Sequence, residues 1–445
     1  MWKELLKPEL KVLIENRDWG QLREATKNWT PQEIAELLLD MEKSHRVLFF
    51  RSLDRKVSSD VFSYLEPEDQ DILLEEMTDQ ETRQILSELD PDDRTALLEE
   101  LPAQITKRMM EYLSPGDLKE ARQLLGYPEE SIGRIMTPDF VAIKPGRTIG
   151  EALSKIRERG KDSETINMIY VVDDSWKLLD DIRLRLFLLA NPEDRVESLM
   201  DYTAPKLSAF ADREQAVRKM QQYDLVALPV VDSDNVLLGI VTVDDVMDIA
   251  EEETTEDIQK AASLAPLGMS YHNANIWTLY IKRIGWLVAL VFMNIAAAGI
   301  ITAHEQTLTA AIGLAAFIPL LIGSGGNTGS QSATLMIRAL VIGDVKLSHW
   351  GRTLLKEIGV GLLLGISLGI VSWGIGIIKG GYRVGLVVGL TMVTIVLVAN
   401  TIGMILPFLL AKLKIDPAVA SNPLMTTIAD VTGLLIYFTF ASMIL

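Results

Sequence analysis

Cysteine is absent from the 445 residues, which excludes disulfides, thiolate nucleophiles and cysteine-ligated zinc. Histidine is scarce. The four, His45, His272, His304 and His349, stand far apart with no metal-ligand spacing, so any metal is held by oxygen, which suits Mg²⁺, Ca²⁺ or Mn²⁺. The opening residues MWKELLKPEL contain no apolar run, so no cleaved signal peptide is expected and the soluble part is expected to stay in the cytoplasm. No Walker loop, nucleophile–base pair or metal-hydrolase spacing is present, so no enzyme is expected.

Positive charge is in short supply in one part of the chain only. Residues 277–445 carry ten bases against five acids, whereas residues 1–276 carry 33 bases against 56 acids, a net of −23. So acidic a body repels nucleic acid and attracts cations. The second part is built from apolar runs at about 284–303, 308–337, 358–378, 384–411 and 421–445, each long enough to span a bilayer. Five spans from a cytoplasmic N-terminus put the C-terminus outside. The bases agree, with Lys282, Arg283, Arg338, Lys346, Arg352, Lys356, Lys412 and Lys414 inside against Lys379 and Arg383 outside. An odd number of spans without an inverted repeat favours a pore on a dimer axis over the inverted-repeat transporter design.

Asp430 is the one carboxylate of the last run. About nine residues of helix precede it, which places it roughly 14 Å into the hydrocarbon. A carboxylate at that depth needs water, a partner or an ion. One reading satisfies it with the hydroxyls of Thr426, Thr427 or Thr432; the other makes it a cation-binding residue of a pore. The second run carries GSGGNTGSQ at 323–331, where Asn327 and Gln331 are unusual amides for that depth. Pro319, Pro407 and Pro423 are each expected to free a carbonyl. Gly361, Gly365 and Gly369, like Gly381, Gly385 and Gly389, recur every four residues, a spacing that lets helices approach closely.

In the soluble part, residues 1–130 read as short helices with a repeat near 12 residues, as in 65–77, 78–90 and 90–102. Asp90, Asp92 and Asp93 there suit helix caps, with cation binding as the other reading. Residues 131–198 and 199–250 form a tandem repeat. The segment 135–153 aligns with 199–217 at an offset of 64, and INMIYVVDD (166–174) with LVALPVVDS (225–233) at an offset of 59. This helix, strand and V-V-D turn pattern resembles a pair of cystathionine-β-synthase (CBS) domains. Such pairs commonly bind adenine nucleotides through a T-x-x-D unit. Thr242 and Asp245 match it in the second copy, while the first places Asp180 at the expected Gly and Leu186 at the expected Asp, leaving at most one nucleotide site. A connecting helix within 246–270 then leads to the membrane part, 271–445. On it Glu253, Glu256 and Asp257 share one face, either as a solvated surface or as part of a switch.

The acidic helical N-domain, CBS pair, connecting helix and five spans, with GGNTGSQSATL–IRAL (325–340), KE–GVGLLLG (356–365) and DPA…SNPL…DVTGLLIY (416–437), together resemble the MgtE family of magnesium transporters and channels over essentially the whole chain. The resemblance implies a multidomain fold: an all-α N-domain, an α/β CBS pair and a five-helix α membrane domain. It implies a homodimer in the inner membrane of a bacterial or archaeal cell, with Mg²⁺ as substrate and regulator and ATP as an optional ligand. Asp430 of each subunit would flank a Mg²⁺ that keeps most of its water. Asn422 and the carbonyls near Ala420 would form the pore mouth, and Asn327 would lie beside the pore. Cytosolic Mg²⁺ would close the pore through Asp212, Glu214, Asp224, Asp245, Asp248, Glu253, Glu256, Asp257 and Asp416, with Asp90 and Asp93 as N-domain candidates. The competing expectation, a membrane-anchored nucleotide sensor, predicts nucleotide binding without ion flux and gives Asp430 no role.

Overall fold

The computed structural model describes residues 10–445 apart from 11, 14, 17, 42, 66, 102, 268–270, 272–273, 311 and 346–348. The opening residues, His272 and Lys346 lie outside the described residues. The chain divides into two compact units, Met1–Glu251 and Glu252–Leu445.

In the first unit, nine helices among the described residues begin every twelve residues: α1 (Trp19–Thr26), α2 (Pro31–Leu39), α3 (Lys43–Ser52), α4 (Arg55–Ser63), α5 (Pro67–Glu76), α6 (Asp79–Glu88), α7 (Pro91–Glu100), α8 (Ala103–Tyr112) and α9 (Pro115–Leu124). Their starts are written locally. Thr30 with Glu33 and Thr78 with Glu81 form capping boxes, and Pro31, Pro91 and Pro115 stand in the first turn, where the missing N–H costs nothing. The fourth position of several repeats donates to the carbonyl eight residues back, closing the end of the preceding helix. Arg46 Nε reaches Leu38 O at 3.1 Å, Gln70 Nε2 reaches Phe62 O at 2.9 Å, and Arg94 Nη1 and Thr106 Oγ1 reach Leu86 O and Leu98 O at 3.3 Å. One apolar core, with Phe49, Phe62, Leu73, Leu86 and Leu98 fully buried, runs through the stack.

Two matching three-stranded sheets follow. β1 (Ala142–Ile143), α10 (Ile149–Arg159), β2 (Met168–Val172), β3 (Leu178–Arg183) and α11 (Leu184–Leu189) form the first; β4 (Leu207–Ser208), α12 (Glu214–Tyr223), β5 (Ala227–Val231) and β6 (Leu237–Thr242) form the second. In each, a parallel pair is followed by an antiparallel pair with a bulge at the same place, Val171/Val172 and Val230/Val231. Ile143 faces Val171 as Leu207 faces Val230, which reproduces both sequence offsets. Asp180, the departure from the expected Gly, is buried and accepts the backbone N–H groups of Asp181, Asp201 and Tyr202 at 3.0, 2.7 and 3.1 Å. Its role there is structural, binding the end of one copy to the start of the next. The helix α13 (Val243–Ala261) contains the unit boundary.

The second unit contains α14 (Ile276–Ala303), a short α15 (Glu305–Ala310), α16 (Ile318–Val341), α17 (Trp350–Lys412) and α18 (Asn422–Ile444). Three of these, α14, α17 and α18, are long and apolar enough to cross a membrane. The 63-residue α17 breaks at Gly381, whose φ of 80° only glycine adopts without strain. Its arms then fold back on one another. A Cβ on Gly376 would lie 2.6 Å from Gly385, one on Gly365 2.8 Å from the Val393 carbonyl, and one on Gly361 3.2 Å from Asn400. The four-residue glycine spacing therefore serves packing, and α17 is an antiparallel helical hairpin whose arms of about 30 residues each run about 45 Å. The polar run 323–331 continues as helix within α16. Pro319 and Pro423 stand in the first turns of α16 and α18 and free no carbonyl inside a helix; Pro407 alone of the three is internal. The core gathers Leu314, Leu321, Val387, Val388, Met392, Ile395 and Tyr437.

Candidate functional site

α18 begins where the turn Pro417–Val419 ends, and Asn422 stands at its first position. Asn422 is exposed, yet tied to α16: its carbonyl accepts Ser330 Oγ at 3.3 Å and its Oδ1 accepts Thr334 Oγ1 at 3.2 Å. Ala420 is fully buried, with a non-helical backbone (φ −69°, ψ 54°). Two turns into α18 lies Asp430, half-buried. Its Oδ1 is buried and meets no hydrogen-bond donor among the described residues. The three neighbouring hydroxyls do not serve it. Thr426, Thr427 and Thr432 donate instead to the carbonyls of Asn422, Pro423 and Ile428 at 3.0, 2.9 and 2.8 Å. A buried carboxylate oxygen without a donor is costly, so the reading in which hydroxyls satisfy Asp430 fails.

Glycine lets α16 lie close beside it. A Cβ on Gly326 would meet Thr426 at 3.0 Å, one on Gly325 would meet Ile395 at 2.4 Å, and one on Gly329 would meet the Ala399 carbonyl at 3.2 Å. Those three face the protein, while Asn327 and Gln331, four residues apart on one helix face, are exposed.

A second constellation lies in the first unit. Asp90, Asp92 and Asp93 begin α7, Asp244, Asp245 and Asp248 begin α13, and Asp139 and Glu164 belong to the first CBS copy. Burial, reinforced by Asp245, Asp93 and Glu164, lifts the Asp92 carboxyl well above its ordinary range. Burial and then Asp90 push Asp93 up to about 6, and burial with Asp90, Asp245 and Asp244 pushes Glu164 up to about 7. Asp245 also rises to about 7, from burial first, against the lowering effect of the Thr242 hydroxyl it accepts at 2.6 Å. Asp139 is raised by burial and Asp90. Thus Thr242 and Asp245 are occupied with one another. A cavity of about 480 Å³ lies elsewhere and is lined by Asn167, Arg183, Arg185, Asp224 and Val226 among others.

The remaining candidates are more scattered. Asp212 Oδ1 caps Glu214 N at 2.8 Å, and Glu214 pairs with Arg218 at 2.5 Å. Asp224 stands at the far end of α12, about 15 Å along its axis. Glu253, Glu256 and Asp257 lie on α13. Glu256 and Asp416 both bind Lys260, the latter at 2.6 Å, and Ser263 Oγ lies 2.6 Å from Ser421 Oγ. Burial alone would lower the Lys260 amine, but the two carboxylates outweigh it and raise it. Among the described residues no three acidic or histidine side chains converge closely enough to hold a bare ion.

Sequence reasoning missed Lys260, Glu164 and Asp139. For Lys260 the i, i+4 spacing from Glu256 was a usable signal; for Glu164 and Asp139 nothing local pointed to the cluster.

Residues 318–440 match the MgtE divalent cation transporter family, 29–130 the MgtE intracellular N domain, and 132–185 and 196–252 the CBS domain. The magnesium transporter MgtE of Thermus thermophilus is 39% identical over 100% of this chain and 99% of its own length. That of Enterococcus faecalis is 38% identical over 95% and 96%. The crystal structure of the cytosolic domain of the Mg²⁺ channel MgtE in complex with ATP matches 54% of this chain and 98% of its own, with a TM-score of 0.52 at 35% identity.

Proposed function

Because this chain belongs to the MgtE family of divalent cation transporters, a family of transporters and not enzymes, we propose that it is a homodimeric channel that imports Mg²⁺ down the membrane potential and that cytosolic Mg²⁺ closes. The observation that carries this reading is Asp430, a carboxylate in an apolar helix with a buried oxygen that no donor meets among the described residues. Mg²⁺ gives up its water reluctantly and is usually met by one or two carboxylates, so two Asp430 side chains across a dimer axis suit a hydrated ion. Asn327, Asn422 and the Ala420 carbonyl supply neutral oxygen along the way. The force is the membrane potential, about 2.3 kcal/mol per charge per 100 mV and so about twice that for a divalent ion. In this reading the five spans are α14, α16, the two arms of α17 and α18, with the first unit in the cytoplasm and the C-terminus outside.

The regulatory ions are assigned to the acidic groups of the first unit and the connecting helix: Asp90, Asp93, Asp212, Glu214, Asp224, Asp245, Asp248, Glu253 and Asp257. Carboxylates that repel one another offer only hard oxygen, the donor set Mg²⁺ prefers. An ion with higher affinity for the closed state shifts the equilibrium toward it. Glu256 and Asp416 are assigned differently, as a joint already bridged by Lys260. A relative's cytosolic domain is in complex with ATP. If this chain takes a nucleotide, the cavity with Arg183 and Arg185 offers the positive charge that the Thr242–Asp245 pair lacks.

The test is Mg²⁺ uptake into proteoliposomes under an imposed potential by wild type and Asp430→Asn. Uptake that the substitution abolishes or makes unselective is expected. Uptake unchanged by it, or absent from both, overturns the reading.

A further inference from the structure

Glu357 lies seven residues into the first arm of α17 and is half-buried. Its carboxylate accepts Asn400 Nδ2 at 2.9 Å and Ser332 Oγ at 3.4 Å, and its own backbone carbonyl accepts the same Asn400 nitrogen at 2.8 Å. Asn400 and Ser332 are both buried. Because both partners of Asn400 are acceptors, its amide orientation is dictated by chemistry. The carboxylate thus joins three helical segments: the first arm of α17, the second arm through Asn400, and α16 through Ser332. Glycines keep room for it. A Cβ on Gly361 would press on Asn400 at 3.2 Å, and one on Gly403 would lie 3.0 Å from Ser332 Cβ and 2.3 Å from the Gly329 carbonyl.

Both side chains that reach the Glu357 carboxylate donate to it. What the cluster can do is hold α16 in place. Asn327 lies five residues before Ser332 on that helix, and Gly326 beside it rests on Thr426, one turn before Asp430. We propose that Glu357 is a positioning residue for the cation path: through Asn400 and Ser332 it fixes α16 in the register that sets Asn327 against Asp430. This rests on the reading that the ion passes between those two residues. A shifted α16 changes the cavity a hydrated ion must fit, and Mg²⁺, with its rigid shell, is more sensitive to that than the larger and more flexible Ca²⁺.

The experiment is Mg²⁺ uptake into proteoliposomes, with Ca²⁺ uptake measured in parallel, by the full-length chain and by Glu357→Gln, Glu357→Leu, Asn400→Leu and Ser332→Ala. Glu357→Gln keeps an acceptor for both donors and should retain the Mg²⁺ over Ca²⁺ preference. Glu357→Leu and Asn400→Leu should lose it by about fivefold or more, roughly what one buried hydrogen bond is worth, and Ser332→Ala by about twofold. If the leucine variants fail to assemble, the glutamine and Ser332→Ala results decide alone. A preference unchanged in Ser332→Ala and in any assembled leucine variant overturns the proposal. So does a loss in Glu357→Gln as large as in Glu357→Leu, which would make charge and not positioning the cause. Asp430→Asn in the same vesicles separates the two readings, since wild-type uptake by that variant refutes the path itself whatever Glu357 does.

Discussion

Taking Mg²⁺ away at neutral pH should cost the first unit stability that acid restores. In that unit Asp92, Asp93, Glu164 and Asp245 are held above their ordinary pKa values by burial and by one another. A carboxyl whose folded pKa exceeds its unfolded one binds more protons folded than unfolded in the window between, so stability falls as pH rises through that window. For Asp245, at about 7, and Asp93, at about 6, the window runs from the ordinary carboxylate range near 4 up to those values. On going from about pH 7.5 to about pH 5.5, Asp245 contributes about 2 kcal/mol and Asp93 about 1 kcal/mol. Glu164 is more open to water and adds less through screening, and since the groups titrate together about 3 kcal/mol is the whole expectation. The assay is urea unfolding of residues 1–261 in a chelating buffer, with and without millimolar Mg²⁺. Without Mg²⁺ the midpoint should rise as pH falls; with Mg²⁺, which takes the place of the protons, the neutral-pH midpoint should climb and the pH dependence flatten. A chelated midpoint that is level, or that rises with pH, refutes the argument that these carboxylates repel in the folded state.

Other perturbations test separate parts. Asp180→Ala should destabilise the CBS pair by about 2–3 kcal/mol, because three backbone N–H groups lose their acceptor; the same unfolding assay reads it, and a loss under half that would mean water replaces the carboxylate. Gly403→Ala places a methyl 2.3 Å from the Gly329 carbonyl and should cost about 1–3 kcal/mol, read as a lower melting temperature in detergent, so an unchanged melting point would show that the helices separate freely. Lys260→Met leaves Glu256 and Asp416 without their shared cation. For so solvent-accessible a joint the loss is about 1 kcal/mol, and the Mg²⁺ concentration that half-closes the pore should rise about fivefold, whereas an unchanged or lower concentration would remove Lys260 from the gate.

Where local rules govern, the sequence was legible. The twelve-residue repeat was visible over three copies, and the structure extends it to nine, with several helices carrying a local start signal and several a polar closure of the preceding one. The offset of 59 was readable because a β-hairpin's register follows its turn, and the V-V-D turn is the same in both copies. Gly381 was grouped with Gly385 and Gly389 as packing; its positive φ instead makes the hairpin bend, a difference that spacing alone does not encode. Long-range partners were the unreadable part. Asn400 is 43 residues from Glu357 and Asp416 is 156 from Lys260, and no local pattern brings such pairs together.

The acidic cluster conflicts with folding economy, and the conflict points to its use. A chain selected only for stability would bury leucines where Asp92, Asp93 and Asp245 come together, since like charges in a poorly solvated place oppose the fold. The N-domain supplies its share from the first turn of α7 and the CBS pair from the first turn of α13, so the repulsion acts across a junction between subdomains. On the proposed reading it is this junction that loosens when no cation is present, while each subdomain retains its own apolar core. Lys260 works the opposite way on Asp416, as a cation that cannot diffuse away. On the same reading the acidic junction responds to the free cation concentration, whereas Lys260 ties α13 to Asp416, just before α18, whatever that concentration is.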